Sequence, residues 1–184
     1  MPSPPVAEPV PLPAPRKVDP RAYVPRPILY LEPDHFPEAP PELRRALDER
    51  GCRIPQIYDP EYPPEIETEL YQGNLVSGHF KSTAELHWAV LCSVDKQTSL
   101  LVFDSSGRLE DTLGGPSEDY DGGFIWYVDE ADREHILEDH ANFGYGTLKP
   151  PPIFHEGVEE GIVGKGSWIH YWHDCQWIGL QGGD

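Results

Sequence analysis

The chain is short of positive charge, and that shortage excludes more than any motif in it does. Lysine and arginine together number 14 against 32 aspartates and glutamates, a formal net charge of -18 over 184 residues. Such a surface repels phosphate backbones and anionic lipid headgroups, so neither nucleic acid nor a lipid surface is an expected partner. It favours solubility and complements a basic protein partner. Long apolar runs are also missing. No stretch approaches the roughly 18 apolar residues of a membrane span, so the chain is not expected to cross a bilayer by a helix. The opening residues MPSPPVAEPVPLPAP have neither a basic n-region nor an apolar h-region, so no signal peptide is visible in them.

Local catalytic signatures are absent as well. There is no G-x-S-x-G, no P-loop and no G-x-G-x-x-G. Gly114-Gly115-Pro116 and Gly182-Gly183 read as turn and tail glycines. In a chain this acidic, paired carboxylates carry no information. The eight histidines raise the question of a metal. His135 and His140 sit five apart in an expected helix, which does not stack them on one face. His170 and His173 point to opposite faces of an expected strand, and His79 and His87 fall on different strands. Asp119-Tyr120-Asp121-Gly122-Gly123 has the look of a calcium loop but lacks the late bidentate glutamate. These readings predict no metal, no cofactor and no catalytic residues.

Cysteine is scarce, with three copies at Cys52, Cys92 and Cys175 and no CxxC or zinc-finger spacing. Two readings stay open on the count alone. One is a single disulfide plus a free thiol. A Cys52–Cys92 bridge, for example, would tie the first helix to the sheet and stabilise by roughly 3–4 kcal/mol. The other is three reduced thiols buried in a cytosolic domain.

Proline is what the chain has in abundance, and it is unevenly spread: 14 of 22 prolines lie in the first 41 residues. Residues 1–40 therefore read as an extended proline-rich arm, and residues 41–184 as an acidic, mainly-β domain of ordinary single-domain size. Pro9 to Pro15 favours polyproline II. The second half of the arm carries Tyr23, Val24, Ile28, Leu29, Tyr30, Leu31 and Phe36. A plain spacer does not need these groups, and they read as anchors for a partner's groove or for the body itself.

Pro40 to Gly51 predicts a short helix, with Pro41 in its first turn, Leu43, Ala46 and Leu47 on one stripe, and Gly51 as a left-handed cap. Residues 55–72 read as a proline-rich acidic surface loop. Asn74 to Phe80 alternates as a strand, and Leu86 to Val94 is an apolar run suited to a central strand. Ser99 to Phe103 follows after an expected four-residue turn, Asp95 to Thr98, as the second arm of a hairpin. Phe124 to Val128 is another strand, Glu130 to Ala141 a second short helix, and Ser167 to Leu180 a terminal hairpin turning at Asp174-Cys175. The fold class is thus α+β, a mainly antiparallel β sheet with two short helices. Trp168, His170 and Trp172 share one face of the terminal hairpin's first strand. That face is either core or a platform for a partner or a sugar.

Four segments in order carry a resemblance: Gly51-Cys52-Arg53-Ile54-Pro55-Gln56, Asn74-Leu75-Val76-Ser77-Gly78-His79-Phe80, Trp88-Ala89-Val90-Leu91-Cys92-Ser93 and Trp177 to Asp184. Together they resemble an uncharacterised family of exported bacterial proteins. The second and third also look like one degenerate blade of FG-GAP-type propellers. The resemblance implies export and a Cys52–Cys92 bridge, and it carries over no catalytic residues. The proline-rich arm and the lack of a visible leader depart from that pattern.

The expectation is a non-enzymatic accessory subunit, periplasmic or extracellular, whose arm lies along protein subunits of a larger membrane-associated assembly. Respiratory and photosynthetic complexes are hosts of that kind, and no residue selects one. Tyr23, Ile28, Leu29, Tyr30, Phe36, Trp168 and Trp172 are the expected partner-binding residues. The alternatives are an exported ligand- or glycan-binding domain, a hydrolase with a dispersed site and, if all the thiols are reduced, a cytoplasmic location.

Overall fold

A computed structural model of the chain describes residues 28–57, 73–118, 126–143, 149–162 and 166–183. A two-stranded ribbon pairs β1 (Ile28–Leu31) with β2 (Ile54–Ile57), and helix α1 (Pro41–Glu49) lies between them in sequence. A second sheet runs as an antiparallel meander through β3 (Leu75–Gly78), β4 (His87–Val94), β5 (Gln97–Asp104) and β6 (Leu109–Thr112), with β7 (Ser117–Glu118) also paired to β5. A third sheet contains β8 (Trp126–Ala131), β9 (Gly157–Ile162), β10 (Gly166–His173) and β11 (Gln176–Gln181), in the order β11-β10-β9-β8. Helix α2 (Arg133–Phe143) is inserted between β8 and β9. The described residues thus bear out a mainly antiparallel α+β fold with two helices.

The layering follows from alternation along β4. Trp88, Val90 and Cys92 point one way, into a core with Leu43, Leu47, Phe36 and Phe103. Ala89 and Leu91 point the other way, into a core with Phe80, Leu100, Val128 and Val158. A strand covered on both faces has to be apolar throughout, which is why this one reads as a continuous run. The third sheet has the same two-sidedness. Val158 faces the second sheet, while Ile169, Tyr171 and Leu180 pack with Ile136 of α2. The order of layers is α1, sheet, sheet, α2.

Helix α1 begins at Pro41 and ends in a Schellman motif. The Gly51 amide donates to the Asp48 carbonyl at 2.8 Å and the Cys52 amide to the Leu47 carbonyl at 3.0 Å, with Gly51 at φ +73. The next residue after that glycine is Cys52, fully buried and disulfide-bonded to Cys92 of β4 across a Cα–Cα distance of 5.0 Å. Helix end and central strand are therefore one covalent unit. Cys175 is the free, exposed cysteine.

Asn74 joins all three sheets. Its side chain donates to the Pro55 carbonyl in β2 at 2.5 Å and accepts from the Val128 amide in β8 at 2.8 Å. Its own carbonyl accepts from the Leu91 amide in β4 at 2.9 Å.

Several expectations shift. The stretch 28–40 belongs to the body: β1 pairs with β2, and Phe36 and Ala39 are buried in the core beside α1. Part of the expected 55–72 loop is the strand β2, and residues 58–72 lie outside the described set. The first hairpin turns on two residues, not four, because Asp95 and Lys96 both adopt left-handed φ values of 50 and 63. That is the geometry of a tight twisted hairpin. Asp174 and Cys175 do the same at φ 49 and 60. The strand expected at 124–128 is observed at Trp126–Ala131, with Phe124 and Ile125 outside the described residues. Helix α2 starts later than expected because Asp132 caps it, accepting from the His135 amide at 2.8 Å.

Candidate functional site

The cap at Asp132 fixes which side chains α2 turns toward the third sheet. His135 and Asp139 are four apart and so share a helix face, with Ile136 buried between them in sequence. Across from them is Glu159 of β9, whose register places it opposite Ile169 on the face that α2 covers. The three side chains meet. His135 Nε2 is 2.8 Å from a Glu159 oxygen and 3.4 Å from Asp139 Oδ2. Among the described residues this is the one group of three histidine, cysteine or carboxylate side chains whose donor atoms all lie within 4.8 Å of one another.

The three members of the group differ in burial. Asp139 and Glu159 are both buried, at 7% exposure each, while the His135 side chain is 42% exposed. Asp139 Oδ2 is buried with no hydrogen-bond partner. Burial, with the charges of Glu159 and Glu138, raises the Asp139 pKa, although His135 and the Gly183 backbone oppose this. Burial also pulls the His135 pKa down, but the hydrogen bond and charge of Glu159, with Asp139 and Asp132, prevail and raise it. Burial thus acts against charge on Asp139, while Glu159 favours charge on His135.

Two further polar sites lie nearby. A cavity of about 500 Å³ opens beside the start of α2, lined by His79, Asp132, Arg133, Phe154, His155 and Glu156 among others. In it the Glu156 carboxylate accepts from the His79 amide, and His155 stacks on Tyr171 with centroids 4.4 Å apart. Between the second and third sheets, Lys81 pairs with Glu110 and Asp111 and lies 4.6 Å from the centroid of the Trp172 ring. Buried His87 sits 3.5 Å from the same Glu110, and its burial, opposed by Glu110, lowers its pKa.

The expected partner-binding residues scatter. Tyr23 lies outside the described residues. Ile28 is half-buried in β1, whereas Leu29 and Tyr30 are exposed at 45% and 37%. Phe36 is fully buried in this chain's own core, which corrects its reading as a partner anchor. Trp168 is 48% exposed and lies flat over Gly179, where a Cβ would stand 2.0 Å from its indole nitrogen. Trp172 does not extend that surface. It packs edge-on against Trp177 at 5.4 Å and under Lys81, and His170 is tied to Glu160 at 2.9 Å. The aromatic face of β10 is therefore largely used between the sheets, and a flat platform is not formed. The sequence reading passed over the His135, Asp139 and Glu159 group. Its one local signal was the His-x-x-x-Asp spacing, and Glu159 enters only through the pairing of β9.

Comparison with known families, characterised proteins and solved structures finds no match to this chain. Among the described residues, no helix is long and apolar enough to cross a membrane.

Proposed function

We propose that the chain is a non-enzymatic, exported accessory subunit that attaches to a larger protein assembly through its proline-rich N-terminal segment and the strand that continues it. The observation that carries this reading is the position of β1. Ten of the 22 prolines precede Ile28, and the chain passes from them into a strand whose Leu29 and Tyr30 side chains face solvent. Among the described residues β1 pairs with β2 alone. An edge strand with exposed apolar groups is a template for a partner's backbone, and a proline-rich segment docks in extended form at low entropic cost.

Two properties support the setting. The Cys52–Cys92 disulfide is the chemistry of oxidising compartments outside the cytosol. The net charge of -18 suits a basic partner surface.

The test is the native mass of tagged full-length chain extracted from its source. The full chain is expected to migrate as part of a larger complex, and a chain lacking residues 1–27 as the free body, with Leu29→Asp weakening the association further. The deletion stops at residue 27 because Phe36 and β1 belong to the core. Unchanged migration of the truncated chain at the mass of the complex would overturn the proposal.

A further inference from the structure

We infer that His135, Asp139 and Glu159 form a binding site for one divalent transition-metal ion of the zinc type, bridging α2 to β9. Donor type, spacing and one orphaned atom support it, independently of the attachment reading above.

Donor type selects the metal class. One imidazole nitrogen and two carboxylate oxygens suit zinc and its first-row neighbours. Calcium and magnesium take all-oxygen shells of six or more, which these three side chains do not supply.

Spacing is compatible with a single ion. Donors held tetrahedrally at about 2.0–2.2 Å stand roughly 3.3–3.6 Å apart. The observed separations of 2.8 and 3.4 Å from His135 Nε2, with every donor atom within 4.8 Å of the others, lie around those values. Helix spacing aligns two of the donors, and strand register supplies the third.

Hydrogen bonding points the same way. Two carboxylates and an imidazole meet in a site mostly closed to water. The Asp139 side chain is nine-tenths buried, and its Oδ2 points into the group with no hydrogen-bond donor on it. A buried carboxylate oxygen left without a donor is costly, and an ion satisfies it. The half-exposed His135 leaves a path for entry from solvent and room for a water as fourth ligand. The ion thus joins helix to sheet, a structural role that needs no reaction.

The experiment is calorimetric titration of zinc chloride into the chelator-treated full chain, with thermal unfolding followed in parallel. The expected result is one equivalent bound tightly and an unfolding temperature raised by several degrees, as for any ligand that binds only the folded state. Asp139→Asn and Glu159→Gln should each weaken that site at least tenfold. His170→Gln, which disturbs a different histidine–glutamate pair, should leave it intact. If a buried substitution prevents folding, His135→Ala at a half-exposed position decides the matter. With cobalt in place of zinc, the visible absorption of the wild-type complex should disappear in that variant. Failure of the wild type to take up stoichiometric zinc, or equal binding by His135→Ala, would overturn the inference.

Discussion

The two helices cap the two ends of the layered body, and they are held by different forces. Helix α1 places Leu43 and Leu47, both fully buried, on the second sheet, ends in a Schellman motif, and is locked to β4 by the disulfide that follows it. Helix α2 buries one aliphatic side chain, Ile136, and beside it a carboxylate, Asp139. The first helix is held by apolar packing, a C-terminal motif and a covalent bond, and it buries no carboxylate. The second has a buried carboxylate oxygen without a donor where a core side chain would be worth more to stability. Sequences keep such local conflicts where something other than packing is required of the site. The α1 end is therefore architecture, and the α2 end is where a ligand belongs.

Substitutions at the two ends should differ in their effects. The largest effect is expected from Phe36→Ala, which empties a fully buried site beside α1. It should cost about 3–5 kcal/mol in denaturant unfolding. A cost below about 1 kcal/mol would mean that residues 28–40 are not part of the body. Next comes the disulfide. Cys52→Ser with Cys92→Ser closes no loop in the unfolded chain and should lose roughly 3–4 kcal/mol for a separation of 40 residues. Equal stability under reducing and oxidising conditions would remove the covalent half of the contrast.

The region between the sheets should respond to pH. Because burial lowers the His87 pKa, the unfolded chain takes up its proton first as pH falls below 6.5. The stability that neutral His87 contributes is fully present above that value. It is lost as pH drops through the folded pKa, with a slope of at most about 1.36 kcal/mol per pH unit. His87→Gln should flatten this part of the stability–pH curve, and an unaltered curve would count against the assignment. The smallest effect belongs to the α2 end. Without metal, Asp139→Asn removes a buried charge, one of whose oxygens lacks a hydrogen-bond donor, so stability should change by less than about 1 kcal/mol. A loss like that at Phe36 would show that Asp139 is an architectural residue after all.

How much of this was legible in the sequence depends on how local each cause is. Helix α1 could be read residue by residue, because Pro41, the leucine spacing and Gly51 act within one segment. The central strand could be read too, since burial on both faces leaves an unbroken apolar run from Trp88 to Cys92. The hairpin at Asp95-Lys96 was found but its length was not, since non-glycine residues with left-handed φ leave little mark in sequence. Strand β2 was hidden behind Pro55, which pairs with Tyr30 at the ribbon. The polar group at α2 was half visible as His-x-x-x-Asp. Its third member depended on β9 pairing with β10 in one register, and no property of Glu159 itself announces that. Asn74 shows the same limit: its three links run to three different sheets.

Amide hydrogen exchange of the full chain, compared with and without saturating zinc, tests the contrast between the two ends most directly. Exchange in α2 and β9 should slow on adding the ion, with no change in α1 or β4. Slower exchange in α1, or none in α2 while the ion is bound, would contradict it.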